Sequence, residues 1–128
     1  MNSSAINNLA TLIGRALISS IFIMAGLTKI TGYAGTQGYM DSMGVPGGLL
    51  PFVIALEVLG GIAVLIGYQT KIAAILLGGF TFLAAIIFHA DFSQQMQSIL
   101  FMKNLAITGA FLMLFVHGPG QWALKPGK

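Results

Sequence analysis

Four apolar runs, each long enough to cross a bilayer, dominate this chain: Leu9 to Ile30, Leu49 to Tyr68, Lys71 to His89 and Ile99 to His117. Each holds roughly 19–22 residues, against the ~20 that a ~30 Å hydrocarbon core requires. Backbone polar groups inside lipid must find their partners within the segment, so all four runs are predicted to be helices. A transmembrane β-barrel would need alternating segments of about ten residues, and these runs are continuous. The expected fold is therefore all-α: an integral membrane four-helix bundle forming one domain over residues 1–128.

Composition agrees. Hydrophobic residues make up 56% of the 128 residues and charged residues 7%, where a soluble domain carries roughly 25% charged. So few charges cannot clothe a water-soluble globule, and a disordered chain or a nucleic-acid binder is excluded with it. The partner implied throughout is the lipid bilayer. There is no cysteine, which removes thiol–disulfide exchange, iron–sulfur ligation and thiolate zinc sites from this chain. No metal-binding spacing occurs. His89 and His117 fall at opposite ends of adjacent spans, too far apart to clasp one haem.

The connections are short. Gly67 to Lys71 permits only an antiparallel hairpin. In the first loop, Thr31 to Gly48, apolar residues around Tyr33, Tyr39, Met40 and Met43 can line a short interfacial helix broken at Gly44-Val45-Pro46. In the third loop, Phe92 and Met96 are four apart and suggest another. Arg15 lies inside the first run rather than before it and no small-residue cleavage site follows, so this run reads as a retained helix, not a cleaved signal. Four spans put both termini on the side of Lys71. That side holds Arg15, Lys71, Lys125 and Lys128; the other holds Lys29 and Lys103 with Asp41 and Asp91. The positive-inside rule then predicts cytoplasmic termini. Phe22-x-x-Ala25-x-x-x-Lys29 and Phe82-x-x-Ala85-x-x-x-His89 form a faint internal echo, compatible with two related hairpins and equally with chance.

Ionisable groups inside a span cost about 2.5–3.5 kcal/mol each even on lenient insertion scales. Glu57 is the foremost case. Gly60 and Gly61 follow it at i+3 and i+4, where they let another helix approach closely beside the carboxyl group. Lys29, His89 and Lys103 come from the other three helices yet share its depth band, and Asn104 and Thr108 extend a polar stripe. Two readings stand together: Lys29, Glu57, His89, Lys103 and Asn104 form an outward-facing ligand or proton-handling cluster, or the bases snorkel to the headgroups and Glu57 fixes helix register. Arg15, flanked by Thr11 and Ser19, reads as a structural group or a phosphate contact on the cytoplasmic side.

The pattern Gly14-Arg15-x-Leu17…Phe22-x-x-Ala25-Gly26-x-x-Lys29 resembles the DoxX-like membrane proteins. So do Tyr39-Met40…Met43-Gly44-Val45-Pro46, Glu57-x-x-Gly60-Gly61…Gly67-x-x-Thr70-Lys71, and Phe88-His89…Phe101-Met102-Lys103-Asn104-Leu105-x-Ile107-x-Gly109 with Gly118-Pro119-Gly120. The resemblance covers nearly the whole chain. It implies a four-helix protein of the bacterial cytoplasmic membrane, in a family named after a subunit associated with thiosulfate:quinone oxidoreduction and often labelled quinol oxidase subunits. Other relatives are linked to membrane assemblies for oxidative-stress defence. Arg15, Lys29, Glu57, His89, Lys103 and Asn104 match family positions. The tail departs at Trp122-Ala123-Leu124-Lys125, with Lys where many relatives carry an acid.

The function expected on these grounds is a redox-linked membrane subunit binding a quinone-like or other small amphipathic molecule. It has no intrinsic cofactor, and a bound quinone and a membrane or peripheral redox protein would supply the electron chemistry. The alternatives are a non-enzymatic scaffold or assembly partner and a small transporter, the latter requiring a homo-oligomer.

Overall fold

A computed structural model describes residues 3–126; Lys128, counted above for orientation, lies outside the described residues. The architecture is all-helical: α1 (Ser3–Thr31), α2 (Tyr33–Ser42), a single 3-10 turn (Gly47–Leu49), α3 (Leu50–Ile66), α4 (Thr70–Phe88) and α5 (Gln95–His117). The helices α1, α4 and α5, and the 3-10 turn with α3, are long and apolar enough to cross a membrane. At 1.5 Å per residue α1 is about 43 Å long, so its ends project beyond the hydrocarbon.

The buried residues of α1 are Arg15, Ser19, Phe22 and Gly26. Their spacing of four, three and four draws one stripe along the helix. The buried residues of α3 are Leu50, Glu57, Gly61 and Val64, seven, four and three apart, and also fall on one face. The two stripes meet at small residues. A Cβ placed on Gly61 would come within 2.8 Å of Ile23 Cγ1 and 3.3 Å of the Ser19 carbonyl. One placed on Gly26 would meet Val58 and, at 3.4 Å, Glu57 Cβ. Gly60 instead faces α4, with Leu77 filling the space. The glycine pair after Glu57 thus serves two different neighbours. Gly61→Ala is expected to force α1 and α3 apart and cost about 1–3 kcal/mol, as overpacking does. Leu59→Ala removes a side chain 65% exposed to lipid and should leave thermal stability in detergent near wild type. Equal melting temperatures for the two variants would show that the α1–α3 contact is not close.

Helix ends follow local chemistry. Pro51 sits in the first turn of α3, where its missing N–H is no loss. Gly67 ends α3 in the left-handed conformation at φ 75°, and Tyr68 N–H donates to the Ala63 carbonyl at 2.9 Å, a glycine-based C-cap. After α4, Asp91 Oδ1 accepts from the Ser93 N–H and hydroxyl. This tight turn leads straight into α5. The short interfacial helix expected around Phe92 and Met96 is therefore absent: Phe92 lies in the turn and Met96 in the first turn of α5. The first loop does contain its helix, α2.

Packing is uneven along the bundle. Phe22, Val64, Ala73, Ala74, Leu77 and Phe111 form the core. Most of these lie toward the face that carries the termini. On α5 only Phe111 is buried, and its ring meets Phe22 at 5.4 Å between centroids. Toward the opposite face the helices part, and α2 lies across the opening. The echo between α1 and α4 does not extend to packing: Phe22 is in the core, whereas Phe82 is 44% exposed. The two helices turn different faces to their hairpin partners.

Candidate functional site

The opening beneath α2 is a cavity of about 510 Å³. Lys29, Glu57, His89, Lys103 and Asn104 all line it, and every helix contributes to its wall. Most of the lining is apolar, including Ile21, Phe22, Leu83 and Ile107. The charged groups and His89 lie in the half away from the termini, among apolar residues such as Leu49, Val53, Phe88 and Leu100, and the deep end at Phe22 and Ile107 is apolar.

Lys29 and Glu57 are in contact. Lys29 Nζ lies 2.8 Å from Glu57 Oε1, the one ion pair among the described residues. The glycine contact explains it. Gly26 lets α1 approach the backbone of α3 at Glu57, and Lys29 follows Gly26 by three residues on the same face. The Glu57 side chain is 5% exposed and that of Lys29 27%. The carboxylate is held inside while the ammonium retains access to the rim. From sequence either Lys29 or Lys103 could have been the partner; the crossing of α1 and α3 selects Lys29.

The other members are near one another without touching the pair. His89 ends α4, and its Nδ1 pairs with Gln97 Oε1 at 2.9 Å. With the Gln97 carbonyl oxygen toward the ring, Nδ1 donates. Asn104 Nδ2 donates to the Thr81 carbonyl at 3.3 Å, tying α5 to α4. Thr108 Oγ1 donates to the Asn104 carbonyl at 2.8 Å. Lys103 is exposed and forms no ion pair among the described residues.

Residues outside the sequence-derived cluster complete the site. Thr36, Tyr39 and Met40 of α2 roof the cavity. Tyr39 stacks on Phe88 with centroids 5.4 Å apart. Asp41 Oδ1 accepts the Gly47 N–H at 2.7 Å and Gln37 Nε2 donates to the Gly47 carbonyl, so α2 is clamped to the 3-10 turn that precedes α3. Tyr39 and Met40 already stood in the motif that carried the family resemblance; nothing in the sequence pointed to Gln97.

Arg15 stands apart from the cavity. It is 2% exposed, and its two Nη groups reach backbone carbonyls. Nη1 lies 3.4 Å from the carbonyls of Val64 and Leu65, and Nη2 donates to the carbonyl of Trp122. The tail follows: Leu124 N–H donates to Ile66 O and Lys125 N–H to Gly67 O, both at 3.0 Å. The last carbonyls of α3, which no helix can satisfy from within, are thus met by an arginine from α1 and by the C-terminal segment. The cation also sits at the negative end of the α3 dipole. These bonds give Arg15 a structural role at the end of α3; its Nε, also buried, has no hydrogen-bond partner among the described residues.

Comparisons with known proteins bear on the same residues. Residues 10–90 match the family model described as DoxX. The chain is 49% identical over 119 residues to the inner membrane protein YqjF of Escherichia coli (strain K12), covering 93% of this chain and 92% of that one. It is 37% identical to the inner membrane protein YphA of the same organism, over 88% of this chain and 86% of the other. It is 32% identical to a Bacillus subtilis (strain 168) protein named "Putative oxidoreductase CatD", over 83% and 84% of the two chains. No solved structure matches at a significant level.

Proposed function

The chain belongs to the DoxX family, and we propose that it is a redox-linked membrane subunit that binds a quinone-like or other small amphipathic molecule in the cavity beneath α2. The observation that carries this reading is the cavity itself: about 510 Å³, mostly apolar, with a buried carboxylate and several donors in the half away from the termini. Ligand pockets have this size and this pattern of few polar groups in an apolar wall. The printed name of the Bacillus subtilis relative is consistent with oxidoreductase chemistry. The relatives' names favour the bacterial inner membrane, and the lysine and arginine distribution favours cytoplasmic termini, so the cavity would open outward.

The residues fit a quinone-like ring. The Glu57 carboxylate lines the cavity with Oε1 held against Lys29 Nζ, which leaves its other oxygen to accept a proton from a ring hydroxyl. Lys29 and Asn104 carry donors for a ring oxygen, and His89, which lines the same cavity, would relay protons to the outer surface. A bound quinone would supply two-electron, two-proton chemistry. This chain has no thiol for the purpose, and the electrons would come from a partner protein.

The test is direct. Purified wild type should bind ubiquinone or menaquinone, and Glu57→Gln should weaken that binding by about tenfold, equivalent to one charge-assisted hydrogen bond. Equal binding by both proteins would remove Glu57 from the site. A second reading, a scaffold for other membrane proteins, draws on α5, where only Phe111 is buried. Co-purification of a stable protein partner with no retained small molecule would favour it.

A further inference from the structure

The cavity's charges do not balance. The chain has three acids, Asp41, Glu57 and Asp91. Asp41 accepts the Gly47 N–H. Asp91 accepts from Ser93 and Gln94 in its turn. Neither lines the cavity. Glu57 lies against Lys29. Lys103 lines the same cavity and has no acid among the described residues. With Lys29 and Glu57 cancelling, the cavity wall carries one uncompensated positive charge, beside His89.

Such a charge at the edge of a low-dielectric cavity attracts an anion far more strongly than it would in water. We propose that the ligand of this cavity is an amphipath with an acidic oxygen headgroup, a carboxylate, phenolate or phosphate, whose counter-ion is Lys103. This rests on the reading of the cavity as a ligand site and narrows its ligand class. The Lys29–Glu57 pair is then a neutral polar wall that hydrogen-bonds the head without pairing with its charge. The body of the cavity sets the tail. The contact of Phe111 with Phe22 closes its deep end, one turn of α5 beyond Ile107, the last residue of that helix in the lining. An alkyl or fused-ring tail would lie between Lys103 and that floor, along Ile21, Phe80 and Ile107.

The experiment compares a diazirine-bearing decanoic acid with the matching decanol. Both are photolabelled onto the full-length protein in phosphatidylcholine nanodiscs, at alkaline pH where the acid is ionised. Both probes are expected to label peptides lining the cavity, the acid at about tenfold lower concentration, which corresponds to 1.4 kcal/mol. Lys103→Met should abolish that preference and leave labelling by the alcohol unchanged; Lys103→Arg should keep it. Melting of each variant in the same nanodiscs shows whether it is folded. Equal labelling by acid and alcohol in wild type, or a preference that survives Lys103→Met, overturns the proposal while labelling by the alcohol upholds the ligand site. Failure of both probes to label the cavity overturns the ligand-site reading itself. Phosphatidylglycerol nanodiscs separate the sources. A preference lost there in wild type assigns the acidic group to a phospholipid headgroup, and one that persists assigns it to a free amphipathic acid; either supports the role of Lys103.

Discussion

Arg15→Met is expected to free the C-terminal segment from the bundle and to lower stability in detergent by about 3 kcal/mol, since hydrogen bonds to a charged group contribute about 1.5–3 kcal/mol each. The bond to the Trp122 carbonyl carries most of this, because the contacts to Val64 and Leu65 are long at 3.4 Å. The loss is larger than that of a surface arginine because the carbonyls it leaves behind have little water to turn to. Hydrogen exchange is the sharpest readout. The amides of Leu124 and Lys125 are bound to Ile66 and Gly67, and their exchange should accelerate by about tenfold or more as the tail opens locally. Arg15→Lys should rescue little, because one ammonium cannot reproduce a planar fork reaching carbonyls on two segments. Trp122→Ala is the control. Its side chain is 44% exposed and the bond uses its backbone oxygen, so that variant should keep slow exchange at Leu124. Unchanged exchange in Arg15→Met would mean that the tail is held by its own backbone bonds alone.

The membrane makes a fold like this legible. Lipid allows only helices or closed barrels, and span length is set by bilayer thickness, so the four long helices follow from hydropathy alone. Ends are less legible. The first apolar run begins at about Leu9, yet α1 already runs from Ser3, because the polar residues Asn7 and Asn8 remain helical where the helix leaves the hydrocarbon. Phe92 and Met96 have helical spacing, but Asp91 captures the intervening backbone in a turn. Periodicity carries no information on such side-chain competition.

The site was partly legible for a similar reason. An ionisable group within a span is costly and so announces itself, as Glu57, Lys103 and Arg15 do. Which of them meet depends on helix crossing, and crossing depends on where small residues fall on facing helices. Gly60 and Gly61 stand beside Glu57 in the sequence, but the contact that pairs Glu57 with Lys29 is made by Gly26 against Glu57 and Val58, while Gly60 faces α4. The partners of Arg15 are backbone carbonyls of α3 and of the tail. Carbonyls are present at every residue, and no sequence pattern marks the ones that a distant side chain will cap.

Lys29 and Glu57 offer the other large effect, and its asymmetry is the informative part. Lys29→Met strands a carboxylate that is 5% exposed, whereas Glu57→Gln strands an ammonium that is 27% exposed. A stranded buried charge typically costs about 3–5 kcal/mol. The rim position of Lys29 admits some water, so about 3 kcal/mol is expected for Lys29→Met. The long lysine stem can carry its charge to the headgroups when Glu57 is lost, and Glu57→Gln should cost about 1 kcal/mol or less, in the range of an exposed ion pair. The double variant removes both charges and should be more stable than Lys29→Met alone. Its departure from additivity should be about 2 kcal/mol, within the range for residues in contact. Unfolding of all four proteins in one detergent measures the cycle. Strictly additive losses would contradict the direct pairing. A Glu57→Gln protein that melts like wild type while failing to bind quinone would separate the two roles of the carboxylate: it would be dispensable for holding α1 to α3 and required at the ligand.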